Sequence, residues 1–424
     1  MILTLTIFVL TLTLVMVRPK PFNEATAATL GAAVMLIVQV VSPSEAWDVL
    51  QSNANVLLFF LGLMIISLVA DCAGFFAWCA LKAVKLAHGK GPILLSVVFG
   101  LGALITAFFS NDATALILTP IVFTLVTRLK LNALPYVFAC AFIANTASML
   151  LPVSNPVNLL AVSRFGLTLG QYFRFLLLPS ILVIAINIGL FYLIFRQAIS
   201  RAVRDNHPGE PVNVDTFFKV VTTGLGLTAA GYILVSVYGL PLAYPSAGGA
   251  LFLLACGFSF GRIAIRKLAS GISWYIFLFI FALGILVKGL DNAGAIRLLA
   301  GGLADLASHG PLQALFSVVL GTAIGSNLIN NWSMMMVSVS SLSSLAAQGG
   351  GFDKTLVYGA IMGADLGPNI AILGSLSSML WLVLLRQRGL DIHPLQYLKL
   401  GLIVAPPMLI IGVLSLYACG RLWG

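Results

Sequence analysis

From Ile2 to Val17 the chain carries no charged side chain, and apolar stretches of that kind recur to its end, parted by short basic links. A hydrocarbon core about 30 Å thick takes about 20 apolar helical residues to cross, and no backbone polar group can be left bare inside it. The stretches are therefore read as helices at about 2–17, 25–42, 54–70, 135–163, 173–196, 217–238, 245–261, 273–288, 355–385 and 396–418. Two further apolar pairs, about 92–109 with 111–127 and about 312–326 with 331–346, turn back on polar tips and are read as helical hairpins. Composition excludes a soluble enzyme: 8% of the 424 residues are charged and 60% are hydrophobic, where a soluble domain carries about 25% charge. The expected fold class is an all-α polytopic membrane protein with about 10 transmembrane helices plus two opposed helical hairpins.

The net charge of +10 does not point to nucleic acid, because the basic residues come in pairs and triplets between apolar stretches, never as one patch interleaved with aromatics. They point to orientation instead. With the N-terminus outside, only Arg164, Arg174, Lys288, Arg297, Lys354 and Arg421 of the 23 Lys and Arg residues fall at the outer side. Both termini are thus expected on the outer, periplasmic side of a cell (inner) membrane. The first stretch lacks a basic leader and is followed by Arg18 and Lys20, so it reads as a retained helix, not a cleaved signal. Cys72, Cys79, Cys140, Cys256 and Cys419 form no CxxC pair, and His88, His207, His309 and His393 fall in loops. No metal centre, disulfide framework or cofactor is expected.

The chain repeats itself at an offset near 220: Asp71-Cys72-Ala73-Gly74 falls on Asp291-Asn292-Ala293-Gly294, Asn111 on Asn331, and Asn145 on Asp365. Each half holds three spans, an amphipathic segment, a hairpin, a broken span and a final span. An odd number of crossings turns the second half over, giving an inverted-topology repeat of scaffold and transport elements. The halves are read as 1–196 and 217–424, joined by a polar cytoplasmic loop at 197–216.

Two of the acidic residues fall inside apolar stretches: Asp112 at the first hairpin tip and Asp365 in the penultimate span. An ionisable group at that depth marks a functional site unless it merely caps a half-helix, and one carboxylate can do both. Polar residues crowd the same places. The first tip offers Asn111 and Thr114; the first broken span offers Asn145, Ser148, Ser154 and Asn155; the second tip offers Asn327, Asn330 and Asn331; the second broken span offers Gly374 and Ser375. These four breaks are expected to converge on one substrate site, with Asp112 and Asp365 in proton coupling. The site has no basic clamp, so a small neutral polyhydroxyl solute or a cation suits it better than a polycarboxylate. The run Trp332 to Met336 reads as core packing, not a soft-metal site.

Several motifs resemble the arsenite efflux permease family, the membrane subunit of the arsenical pump, within the ion transporter superfamily. They are Ser110-Asn111-Asp112, Phe142-Ile143-Ala144-Asn145-Thr146-Ala147-Ser148, Val153-Ser154-Asn155, Asn330-Asn331, and Asp365-Leu366-Gly367-Pro368 with Ile372-Leu373-Gly374-Ser375-Leu376. The resemblance runs essentially end to end. It implies export of arsenite or antimonite in exchange for protons, or by ATP when a cytoplasmic arsenical ATPase docks, with membrane lipid as the surroundings. It also implies substrate-lining roles for Asn111, Asp112, Ser154, Asn155, Asn331 and Asp365. The chain departs from the family pattern at Asn145, where the family has Asp, at Asn369, where it has Lys, and at Asn331-Trp332-Ser333, where it has Asn-Met-Pro. The paired departures suggest an ion pair replaced by amides. The alternatives within the superfamily are a sodium/proton antiporter and a silicic acid exporter. An intramembrane enzyme is disfavoured because no HExxH or GxSxG motif occurs.

Overall fold

The computed structural model describes residues 1–17, 24–86, 90–200, 214–238, 240–272, 274–296, 298, 305, 310–347 and 353–423. Among these there is no β-strand. The first half contains α1 (Ile2–Val17), α2 (Glu24–Ile37), α3 (Pro43–Cys72) and α4 (Phe75–Leu86), followed by a hairpin of α5 (Gly91–Phe108), the short α6 (Asn111–Ala113) and α7 (Thr119–Arg128). A broken span of α8 (Leu134–Thr146) and α9 (Pro156–Phe165) comes next, then α10 (Leu169–Ile199). The second half repeats the order: α11 (Thr216–Val237), α12 (Ala243–Ser259), α13 (Ile265–Gly271) and α14 (Trp274–Asn292), a hairpin of α15 (Pro311–Ile329) and α16 (Asn331–Ala347), a broken span of α17 (Thr355–Leu366) and α18 (Leu376–Gln387), and α19 (Pro394–Trp423).

Among the described residues, five helices are long and apolar enough to cross a membrane alone, and α3, bent by 48° between Ser52 and Leu57, makes a sixth. Two of the five, α5 and α15, are hairpin arms that stop at a polar tip. Length and composition thus do not count crossings, and several expected spans are shorter or broken helices. The clearest departure from the sequence expectation is α3, which starts at Pro43 where an onset near 54 was expected. A capping box explains the early start. Ser42 accepts from the Glu45 backbone N–H, Glu45 accepts from the Ser42 N–H, and Pro43 fits the first helical position.

Contacts between helix ends define two faces. On the first, Asn292 Nδ2 donates to the Val40 carbonyl at 2.9 Å, Arg164 Nε donates to Ser343 Oγ at 3.3 Å, and Arg174 lies over the Trp423 ring. On the second, the Tyr136 hydroxyl donates to the Gly91 carbonyl at 3.3 Å and Arg388 Nη1 donates to Thr124 Oγ1 at 3.1 Å. The first hairpin opens on the second face and the second hairpin on the first, so the repeat is inverted. Arg18, Lys20, Arg201, Arg204 and Arg297 of the charge count, and His88, His207 and His309, lie outside the described residues. His393 immediately precedes α19, and its Nδ1 accepts from the Leu395 N–H.

Candidate functional site

Both broken spans break in the same way. After Thr146 the chain takes a 3-10 turn (Ala147–Met149), an extended Leu151, a second 3-10 turn (Pro152–Ser154) and an extended Asn155 before α9 starts at Pro156. After Leu366 it takes Gly367–Asn369, an extended Ala371, Ile372–Gly374 and an extended Ser375 before α18. Prolines 152, 156 and 368 lack the N–H that would continue the helical ladder, so the breaks are local chemistry. Each new helix is capped by its own extended residue: Asn155 Oδ1 accepts from the Val157 N–H and Ser375 Oγ from the Ser378 N–H, both at 3.2 Å.

The hairpin tips are shaped by side chains too. Ser110 Oγ accepts from the Ala113 N–H, starting the return arm, and Pro120 leaves a π turn at Thr114–Leu118 because it cannot donate to residue 116. At the second tip Asn330 holds φ 72° and ψ 148°, a region that side chains other than glycine's rarely enter, while its Oδ1 accepts from the Trp332 N–H at 3.0 Å. Strain of this kind gathers at functional sites.

Between the breaks runs a crossed hydrogen-bond network. Asp365 Oδ1 accepts from Asn155 Nδ2 at 2.7 Å and Oδ2 from Asn158 Nδ2 at 2.8 Å. At the twin position, Asn145 Oδ1 accepts from Ser375 Oγ at 3.2 Å and Asn145 Nδ2 donates to Ser378 Oγ at 3.0 Å. Each break thus offers one residue to two capping-turn side chains of the other half. Tyr172 stands by Asn158 and Tyr397 by Ser378 in the same relation. Asn145 and Asn369 are not bonded to each other as a replaced ion pair would be. Asn369 and Asn187 both donate to Thr146 Oγ1, at 3.1 and 2.9 Å.

The tips and breaks line a cavity of about 50 Å³, whose other side is formed by Phe60 of α3 and Phe279 and Ile280 of α14. Its polar wall is Asn111, Asp112, Asn155, Asn330, Asn331, Ser375 and Ser377, with no Lys, Arg or His. Ser377 Oγ donates to Asp112 Oδ1 at 2.6 Å. A second cavity of about 170 Å³ shares Phe60 and Asp112 and runs along α3 to Asp71 at the second face. A third, of about 390 Å³, opens at the first face. Its wall continues that of the central cavity one turn further along α16 (Trp332 to Met336), α9 (Val157 to Leu160) and α14 (Ile280 to Gly284).

The expected site residues divide by placement. Asn111, Asp112, Asn155, Asn330, Asn331 and Ser375 line the central cavity. Asp365 and Asn145 lie behind it, buried in the crossed network. The others hold the frame. Thr114 bonds Thr106 at 2.7 Å inside the hairpin, Ser148 donates to the Asn145 carbonyl, and Ser154 ties the break to the Ala107 carbonyl. Asn327 donates to the Gly367 carbonyl and accepts from the Ala371 N–H, bracing the second break, where Gly374 packs against Asn327 and Pro368. The structure adds Ser377, Ser378, Asn187 and the two tyrosines. Their sequence signal was weak, because serines and single tyrosines are common in spans.

This fold and site are those of a polytopic helical membrane transporter built on an inverted repeat. The family profile described as "Arsenical pump membrane protein" matches residues 3–420. The arsenical pump membrane protein of Escherichia coli (strain K12) is 34% identical over 422 residues, covering 98% of both chains, and that of Yersinia enterocolitica is 33% identical at the same coverage. The putative arsenical pump membrane protein of Bacillus subtilis (strain 168) is 26% identical, covering 94% of this chain and 95% of the relative. The chain belongs to the arsenical pump membrane protein family. Its fold is also similar to that of the Alcanivorax borkumensis YdaH transporter, at a TM-score of 0.61 and 15% identity, covering 91% of this chain and 90% of that one.

Proposed function

We propose that the chain exports trivalent arsenic and antimony from the cytoplasm as the neutral triols, in exchange for protons, across a cell (inner) membrane with both termini outside. The observation that carries this reading is the central cavity. It is small, it draws hydroxyls and carboxamides from both halves, and no cationic side chain lines it. A space of about 50 Å³ is on the scale of a few waters, and As(OH)3 replaces waters with its own hydroxyls. Amides that both donate and accept suit such a solute, whereas a polycarboxylate would need guanidinium or ammonium partners. Asp112, at the junction of the central and second-face cavities, and Asp365, within the crossed network, are the carboxylates that would carry protons. The halves 1–196 and 217–424 would act as opposed units about the 197–216 linker.

The test is arsenite uptake into everted vesicles holding the purified protein. Uptake is expected when the lumen is acidified, without ATP, and a cytoplasmic arsenical ATPase added with ATP is expected to raise it further. Sodium-dependent pH changes indifferent to arsenite would mean a sodium/proton antiporter instead, and uptake of silicic acid in preference to arsenite would mean a silicic acid exporter.

A further inference from the structure

Away from the central site, α3, α4, α5 and α11 leave a groove of about 340 Å³ between them. Leu63 and Ile66 of α3, Phe75 of α4, Leu104 and Phe108 of α5 and Leu225 of α11 form its apolar wall. The Thr222 and Thr228 hydroxyls in it donate to the Phe218 and Gly224 carbonyls of their own helix, so they ask nothing of an occupant. Leu104 is 59% exposed and Phe108 48%, so the groove opens sideways, toward lipid. From Thr222 to Tyr232 it spans about 15 Å of helix, half of a hydrocarbon core of about 30 Å. That is the depth of one leaflet.

The end of the groove nearer the second face is basic. Lys82 lies one turn beyond Cys79 on α4, and Lys219 one turn before Thr222 on α11, and both Cys79 and Thr222 line the groove. The two helices meet there: the Trp78 and Phe218 rings are 5.7 Å apart and Lys82 Nζ stands 5.5 Å from the Trp78 centroid. Nearby acids are turned elsewhere. Asp215 pairs with Arg262, and Asp71 lines the cavity beside Asp112. Neither lysine has an ion pair among the described residues.

We propose that this groove holds one acyl chain of an anionic phospholipid whose phosphate sits between Lys82 and Lys219. The chain replaces the apolar contacts that the four helices do not make with one another, and the ammonium groups select the headgroup. Occupancy braces the entering arm of the first hairpin against α3 and α11.

The experiment is native mass spectrometry of the full chain after equilibration with phosphatidylglycerol and phosphatidylcholine of identical acyl chains. A preferred phosphatidylglycerol adduct is expected. The preference should fall about fivefold for each of Lys82→Gln and Lys219→Gln, and stay unchanged for Lys354→Gln at the first face. Gly226→Leu tests the groove itself. Gly226 lines the groove and a Cβ there meets no atom within 4 Å, so a leucine is expected to fill the groove, and adducts of both lipids should be lost. A preference that survives the lysine pair overturns the headgroup site. Adducts that persist in Gly226→Leu, with only the lysines mattering, overturn the groove and leave surface charge attraction alone.

Discussion

Asp112 and Asp365 are both carboxylates at membrane depth, but their hydrogen bonds give them different work. Asp365 is 1% exposed and each of its oxygens is taken by an amide from the other half. Removing it strands the buried Asn155 donor, at about 1–3 kcal/mol, while Asn158 Nδ2 keeps its bond to the Ser148 carbonyl at 2.8 Å. Asp112 faces the cavity and accepts from Ser377, a bond that an asparagine oxygen can also accept. Asp365→Leu is therefore expected to lower thermal stability in detergent. Asp112→Asn is expected to melt like the parent while losing uptake driven by a pH gradient. Full proton-driven uptake by Asp112→Asn would falsify its proposed role in coupling. Both acids were legible in the sequence because a carboxylate inside an apolar run is rare. Their division of labour was not. It depends on Asn155 and Asn158, more than two hundred residues away along the chain, and periodicity within a helix carries no record of such a contact.

At the scale of elements the two halves share a plan but pack differently. In the second half, Gly359, Gly363 and Gly367 lie one turn apart along α17 and its following 3-10 turn, and they meet α15 at Leu315, Val319 and Ala323. Where lipid is as apolar as leucine, helices associate by close backbone approach, and small residues every fourth position allow it. A Cβ on Gly363 would lie 2.5 Å from the Val319 carbonyl oxygen, and one on Gly367 2.6 Å from that of Ala323. In the first half the glycine is on the hairpin instead, where Gly102 of α5 receives Ile143 of α8. Gly363→Val must displace backbone, so its cost is expected to exceed the about 1–3 kcal/mol of ordinary overpacking. Gly100→Ala, where nothing lies within 4 Å, should be neutral or stabilising. Size-exclusion profiles and melting curves of the two variants check the contrast. Hairpin tips and most spans could be read from apolar runs and polar interruptions, but the onset of α3 at Pro43 could not, because a capping box and not hydropathy sets it. Which glycines serve packing could not, since 40 of them are dispersed through the chain and only the partner helix distinguishes them.

Across the whole molecule the three cavities form one line, from the wide opening at the first face through the central site to the narrower space that ends at Asp71. The proposed export runs along this line in the direction that the driving gradient sets, whichever end is wider. The contacts pair the helix ends into faces but carry no label of inside or outside, so the label rests on charge. Lys82, Lys85, Lys130, Arg262, Arg266, Lys267, Arg386 and Arg388 belong to the second face, while the first holds Arg164, Arg174, Lys288, Lys354 and Arg421. Ion pairs do not separate the faces, since Lys288 lies 3.4 Å from Asp291 at the first while Arg262 pairs with Asp215 and Arg386 with Asp391 at the second. The positive-inside bias supports the proposed placement of the second face in the cytoplasm. A single cysteine at Lys354 should react with a membrane-impermeant maleimide in intact cells, and one at Lys85 only in everted vesicles, each in a background without the native cysteines. Both positions are exposed, so silence on the expected side cannot be blamed on burial. The opposite pattern would overturn the proposed placement of the second face in the cytoplasm and of both termini outside.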